Sequence, residues 1–525
     1  MIILYPLLLA CLALQPTQED PIQEPPPGTP EGPPPLELSL EQAIIECFSN
    51  NLVLKGARLD TQGAVAGFGA AWGDFDTEFF TTVLNQRTVT APTPVNFVGG
   101  VDVGASPKTE FELFQVRSGV RGMLTTGTSW QFDIGPSYAK TEVEDGSPSR
   151  NRTNTADWSL SLTQPLLRNG ADDFATSGLE LAAKDVSLST IAAKSLAYTT
   201  IVDVITAYWN LVYARQNLDT IQLSVDLANE LLDITQRKYQ QGIQNRIDVI
   251  EVEADLARRE EELLTAHNAV VQAVDDLRKL VFAPESQGEW GRDIVPSTDY
   301  EQIPEGEVDT DAAIQDAIRL RPDIESARLT FERAAIEVRR AENQARSRLD
   351  VTGAYGLNSN ETNKRDAVYR LNNTEFYEAR VFVDFAVSIG NRTAGYTLRR
   401  RKLDRDRANV TLRDTEVQAV SEVRSSARDV ELQSLRVKAT EETTRLRLEV
   451  YEGEKRRLEN DLSTPFQVRE SQRDYLQAVD DETRARLDLA VAQTNLLASR
   501  GKLLVHYGLS AEPPETSLEE APPAP

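Results

Sequence analysis

Two runs of about 70 residues, 172 to 241 and 393 to 460, read as helix and contain no proline. At about 1.5 Å per residue, a helix of that length reaches about 105 Å. No compact globular domain needs such a span. Each run breaks for a few residues, at QGIQNR (241–246) and at NDLSTP (460–465), and helical character then resumes. The first resumed stretch runs to about 282, the second from about 464 to 506. Each unit therefore reads as an antiparallel helical hairpin, one over 172–282 and one over 393–506.

The hairpin helices carry sevens. Leu211, Leu218, Val225, Leu232 and Tyr239 are evenly spaced, and Val249, Leu256, Leu263, Val270 and Leu277 do the same on the return. Sustained heptads mean helix-on-helix packing along the whole length. A plain coiled coil would satisfy the same pattern. At the tips a shift of 219 places Tyr239 on Leu458, Gly242 on Asp461, Val249 on Val468 and Glu251 on Glu470. Gly242 is the residue type that ends a helix. In the second tip Asn460 and Asp461 end one helix, Ser463 or Thr464 caps the next, and Pro465 takes a first-turn position.

The chain also repeats on a larger scale. AIIECFSNNLVLKGARL (43–59) and AIQDAIRLRPDIESARL (313–329) align at a shift of 270. Each copy opens with a helix, capped by Ser39 with Gln42 in the first and by Asp309 in the second. Strand-like segments follow, over 75–165 and 349–390. Trp158, Leu160 and Leu162 alternate with Ser159, Ser161 and Thr163, the signature of a strand with two unlike faces. The expected organisation is a first structural repeat over 38–308 and a second over 309–509. Proline-rich segments flank them: a linker over 15–37 and a tail over 510–525.

The apolar N-terminus, residues 1–14, is too short to span a membrane and reads as a secretory signal. Leu8-Leu9-Ala10-Cys11 has lipobox form, with Cys11 as the lipid anchor; ordinary cleavage after Ala13 is the competing reading. No later segment reads as a spanning helix, so membrane entry would require strands of a closed barrel. The 82 acidic and 56 basic residues give a net charge of −26, which disfavours nucleic acid as a partner. Two cysteines and two histidines exclude a disulfide framework and leave no basis for a zinc centre or His-based triad. No catalytic residues, metal ligands or cofactor site are expected, and the chain does not read as an enzyme.

Helix, strands and long helical hairpin, all repeated, resemble the TolC-like outer-membrane efflux channel family. SLTQPLLRNG (161–170) looks like that family's strand-end motif, and YQQGIQNRIDVIEVEADL (239–256) and ENDLSTPFQVRESQRDYL (459–476) look like its two hairpins. The resemblance covers about 38 to 509. Ser388 departs from it, standing where the family usually has proline. The resemblance implies an α+β membrane protein: a homotrimer with four strands per chain in one twelve-stranded β-barrel in outer-membrane lipid, continued by a periplasmic α-helical barrel. It further implies a diderm bacterial outer membrane, a periplasmic adaptor and an inner-membrane pump as partners, and passive conduction. The tips would then lie where the tunnel narrows. Asp248, Glu251 and Glu470, with Gln467 in place of a fourth acid, would form an acidic ring there, with Arg246 pairing a neighbouring carboxylate in a closed state. Gly242, Asp461, Ser463, Thr464 and Pro465 would meet the adaptor. The alternative is a periplasmic coiled-coil structural or adaptor protein without a pore.

Overall fold

The computed structural model describes residues 35–509 apart from 93–96, 99–100, 103–106, 145–148, 171, 283–290, 300–307, 373–374 and 461. Cys11, the signal segment, the proline-rich tail and Asp461 lie outside the described residues.

The first copy runs β1 (Leu36–Leu38), α1 (Leu40–Asn50), α2 (Leu52–Ala71), β2 (Glu78–Thr90), β3 (Phe97–Val98), β4 (Val101–Asp102), β5 (Lys108–Met123), β6 (Ser129–Glu144), β7 (Ser149–Pro165), α3 (Asp172–Ala175), α4 (Ser177–Gln240) and α5 (Arg246–Val281). After β8 (Ile294–Pro296) the second runs α6 (Thr310–Leu320), α7 (Pro322–Gln344), β9 (Arg348–Glu361), α8 (Lys364–Tyr369), β10 (Tyr377–Ala386), α9 (Arg392–Glu459), α10 (Pro465–Ser499) and α11 (Leu503–His506). Three boundaries differ from expectation. Leu36 and Glu37, placed in the linker, pair with Ile294 and Val295 in a parallel ribbon. The helix expected from 172 is interrupted, with α3 a separate turn before Ser177. The helix expected to reach 506 stops at Ser499, because Gly501 takes a left-handed φ of 72°.

The duplication is visible in these bounds. α1 and α6 start 270 residues apart, as do β2 and β9, whereas α4 and α9 end 219 apart. The first copy is therefore 51 residues longer between its first strand and its long hairpin. That excess holds β5 and β6, joined by a tight turn in which Gly127 adopts φ 79°. They enter the main sheet, whose order is β10-β9-β7-β6-β5-β2, antiparallel throughout. Four strands per chain are expected from the resemblance, with extra hairpin or loop structure in a first strand region longer than two strands need; among the described residues six strands share one sheet. The inserted hairpin takes β7's place beside β2.

The core lies beside the β1/β8 ribbon, where α1, α4, α5 and the end of α10 converge. Ile44, Ile201, Ile205, Tyr208 and Leu277 are fully buried there. Tyr208 ties α4 to both strands of that ribbon. Its hydroxyl donates to Leu38 O at 3.0 Å and accepts from Thr298 N at 3.1 Å. This clarifies α4, which, contrary to expectation, is long and apolar enough by composition to cross a membrane. Ile201, Val204, Ile205 and Tyr208 on that helix are packed inside the helical body. Beyond it the helices form a row in which α2 packs on α4, α4 on α7, and α7 on α9.

Candidate functional site

The two hairpin tips are built alike. At the first, α4 ends in a Schellman arrangement: Gly242, with φ 77°, donates to Tyr239 O at 3.0 Å, and Ile243 N donates to Lys238 O at 2.9 Å. Asn245 then caps α5, its side-chain oxygen accepting from Asp248 N at 3.1 Å, and Asp248 returns a carboxylate oxygen to Asn245 N at 3.2 Å. At the second tip Leu462 N donates to Arg457 O at 2.8 Å. Thr464, not Ser463, is the cap of α10. It accepts from Gln467 N at 3.4 Å, and its own N–H donates to Gln467 Oε1 at 3.3 Å. Ser463 instead donates to Glu454 Oε2 at 2.7 Å, and that hydrogen bond holds the Glu454 carboxyl below its usual range. Pro465 is buried at the first helical position.

The expected ring residues divide into two kinds. Asp248 and Gln467 are capping-box residues, each partly committed to its own helix start. Glu251 and Glu470 instead meet arginines. Arg469 lies 3.5 Å from Glu251 Oε2 and donates to Glu251 O at 3.3 Å, and Arg473 contacts Glu470. Arg246 is exposed and has no ion-pair partner among the described residues. The charge at the tips is therefore mixed. Arg469 and Arg473 are the residues that spacing alone overlooked; only Arg473, one turn from Glu470, left a trace in the sequence.

A small core of Leu231, Val252, Tyr451, Leu458 and Val468 holds the four tip helices together, with Tyr451 stacked on Tyr475 at 6.0 Å. Deeper along the first hairpin, the buried Arg259 pairs with Asp255 at 2.8 Å and contacts Ser224 on α4. Burial alone would raise the Asp255 carboxyl, but its hydrogen bonds and charge contacts with Arg259 and Arg258 prevail and hold it below its usual range.

At the other end the sheet has two unlike faces. One register row reads Phe79, Val120, Phe132, Leu160, Tyr355, Ala379. The row beside it, on the opposite face, reads Glu78, Arg121, Gln131, Ser161, Ala354, Arg380. On that polar face Arg117 bridges Asp133 at 2.6 Å and Asp157 at 2.8 Å. Trp130, Trp158 and Tyr377 extend the apolar face. An antiparallel sheet with an aromatic-rich apolar face and a charged one is the pattern of a barrel wall between lipid and water.

Residues 131–281 match the sequence model of the family described as outer membrane efflux protein. That segment belongs to this family. It includes the strand-end motif and the whole first hairpin. No curated protein matches the chain by sequence. Among solved structures, the CmeC outer membrane channel of Campylobacter jejuni is similar at 16% identity and a TM-score of 0.61, over 92% of this chain and 89% of that one. The outer membrane protein VceC of Vibrio cholerae is similar at 14% identity and 0.60, over 88% and 96%. The open-state MtrE outer membrane channel of Neisseria gonorrhoeae gives 16% and 0.59, over 88% and 89%. At these identities the likeness establishes the fold, across nearly the whole of each chain.

Proposed function

We propose that the chain is the outer-membrane exit duct of a tripartite efflux or secretion system. The observation that carries this reading is the joining of a two-faced antiparallel sheet to hairpins whose first helices, α4 and α9, are about 100 Å long. The sheet lies in the outer membrane of a diderm bacterium and the hairpins extend into the periplasm. The open sheet leaves two strand edges that lipid does not tolerate, so several copies close it, and a homotrimer is the assembly implied.

The duct is passive. Substrates arrive from an inner-membrane pump through a periplasmic adaptor whose own helices meet the tips at Gly242, Ser463, Thr464 and Pro465, with Asp461 two residues before Ser463 in sequence. Asp248, Glu251 and Glu470 form the narrowest ring, with Gln467 beside them. In the resting state Arg469 and Arg473 cover two of those acids, and Arg246 is free to reach a neighbouring copy. Opening separates the tips and uncovers the acids, so the open ring favours cations.

Fractionation with a heat-stability assay tests this reading. The duct is expected in the outer membrane as a heat-resistant trimer. A soluble periplasmic species that runs as a monomer without heating contradicts it.

A further inference from the structure

The sheet ends on one side at β2 and on the other at β10, and the helical row ends on the same sides, at α2 and α9. Both layers therefore stop at a β2–α2 edge and a β10–α9 edge. Neither edge resembles a finished surface. On α9, Tyr396, Leu403, Val410 and Val417 stand seven apart and are 68%, 61%, 66% and 68% exposed. Such a stripe has no partner among the described residues. On α2, Gly56, Gly63 and Ala70 are also seven apart, and a side chain added at Gly56 or Gly63 would meet nothing within 4 Å. Large knobs at sevens on one edge match small residues at sevens on the other.

The strand edges match as well. Val381, Val383 and Phe385 lie exposed on the apolar face of β10, and Phe79 and Val83 on the apolar face of β2. The sheet has an even number of antiparallel strands, so β10 of one copy runs antiparallel to β2 of the next. Edge-to-edge pairing continues both the hydrogen-bond ladder and the apolar face.

We propose that a second copy of this chain docks its β2–α2 edge on the β10–α9 edge, and that three copies so joined close a barrel of eighteen strands. The count of three rests on the channel reading above; the six strands per copy do not. Width supports the closure. Six strands about 4.8 Å apart and tilted by about 40° cover an arc of about 38 Å. Four helices packed about 9 Å apart cover about 36 Å. Sheet and helical row thus match in width within one chain. Barrel diameter grows roughly linearly with strand number, so the lumen is about half again as wide as one of twelve strands. Arg117, Asp133 and Asp157, repeated three times, line that lumen with charge.

Electron cryo-microscopy of the full-length protein extracted in detergent tests this. The expected image is one closed ring of eighteen strands, with β10 of each copy hydrogen-bonded to β2 of the next. A closed ring of twelve, with β5 and β6 folded outside the wall, overturns the inference and leaves the channel reading intact. No closed ring at all sinks both. Cysteines at Leu403→Cys and Gly63→Cys give an independent readout. Oxidation is expected to link copies into covalent trimers when both are present in one chain. A sample that stays monomeric on denaturing gels overturns the proposed edge.

Discussion

Asp248 and Gln467 occupy the same position in the two hairpin tips. Each is the third residue of its helix, and each returns a side-chain oxygen to the N–H of the capping residue, Asn245 at 3.2 Å and Thr464 at 3.3 Å. The two positions are 219 residues apart, the same offset that relates the ends of α4 and α9. Duplication has preserved the turn while changing the side chains that make it.

The caps set how firmly the tips hold. Asn245→Ala and Thr464→Ala are each expected to cost about 1 kcal/mol locally, the usual value of an N-cap. Amide hydrogen exchange over 246–250 and 465–469 should quicken in the respective variant, with the sheet unchanged. Unaltered exchange at those amides contradicts a capping role.

Gly242 sits at φ 77°, where a Cβ is strained, and open space around it leaves no steric excuse. Gly242→Ala is expected to destabilise the first tip by about 1 kcal/mol. The corresponding measurement is the opening free energy of the α4 C-terminus by hydrogen exchange. A neutral substitution would mean that the Schellman turn does not fix the tip.

Tip charge should govern ion preference. Arg469→Ala and Arg473→Ala uncover Glu251 and Glu470 and are expected to raise cation preference in reversal-potential measurements. Asp248→Ala combined with Glu251→Ala is expected to lower it. If both changes leave the reversal potential unmoved, the constriction lies elsewhere.

Asp255 makes the first hairpin sensitive to acid. Its carboxyl is held below the usual range by Arg259 and Arg258 despite burial, so the folded state favours the ionised form. That stability is fully present above the ordinary carboxylate pKa of about 4 and is lost as pH falls through the lower folded value. The melting-temperature gap between the native chain and Asp255→Asn should therefore be largest near neutrality and narrow below about pH 4. A gap independent of pH would show that the pair contributes nothing through ionisation.

Tyr208→Phe removes a hydroxyl that serves Leu38 O and Thr298 N at once. Leu38 O keeps Ser297 N at 3.1 Å, so the Thr298 N–H is the group left unpaired, and the loss is expected to cost about 1 kcal/mol, read as a lower denaturant midpoint. An unchanged midpoint would mean that water replaces the hydroxyl.

Much of this architecture is written in the chain. Heptads run for many turns, and a break of five residues between two proline-free helices has few structural solutions. Asn245 and Asp248 carry capping-box spacing, yet among so many acids Asp248 read as face charge. The inserted strands are legible only in part. Period-2 alternation signals a strand only where its two faces meet different surroundings. Trp158 to Thr163 lie in that zone. Glu112, Lys140 and Glu142, further along β5 and β6, pair among themselves at 3.6 and 2.9 Å, so charge occupies positions that the alternation would make apolar. A strand there resembles a loop in sequence. Arg469 reaches Glu251 across 218 residues, a pairing that only the fold brings together.

The most direct test of the account is planar-bilayer conductance of the purified, detergent-extracted protein, with oligomer mass measured on the same sample. The predicted result is a trimer with discrete, cation-selective openings whose preference falls when Asp248 and Glu251 are replaced by alanine. A trimer that conducts nothing even with those tip charges removed would contradict it.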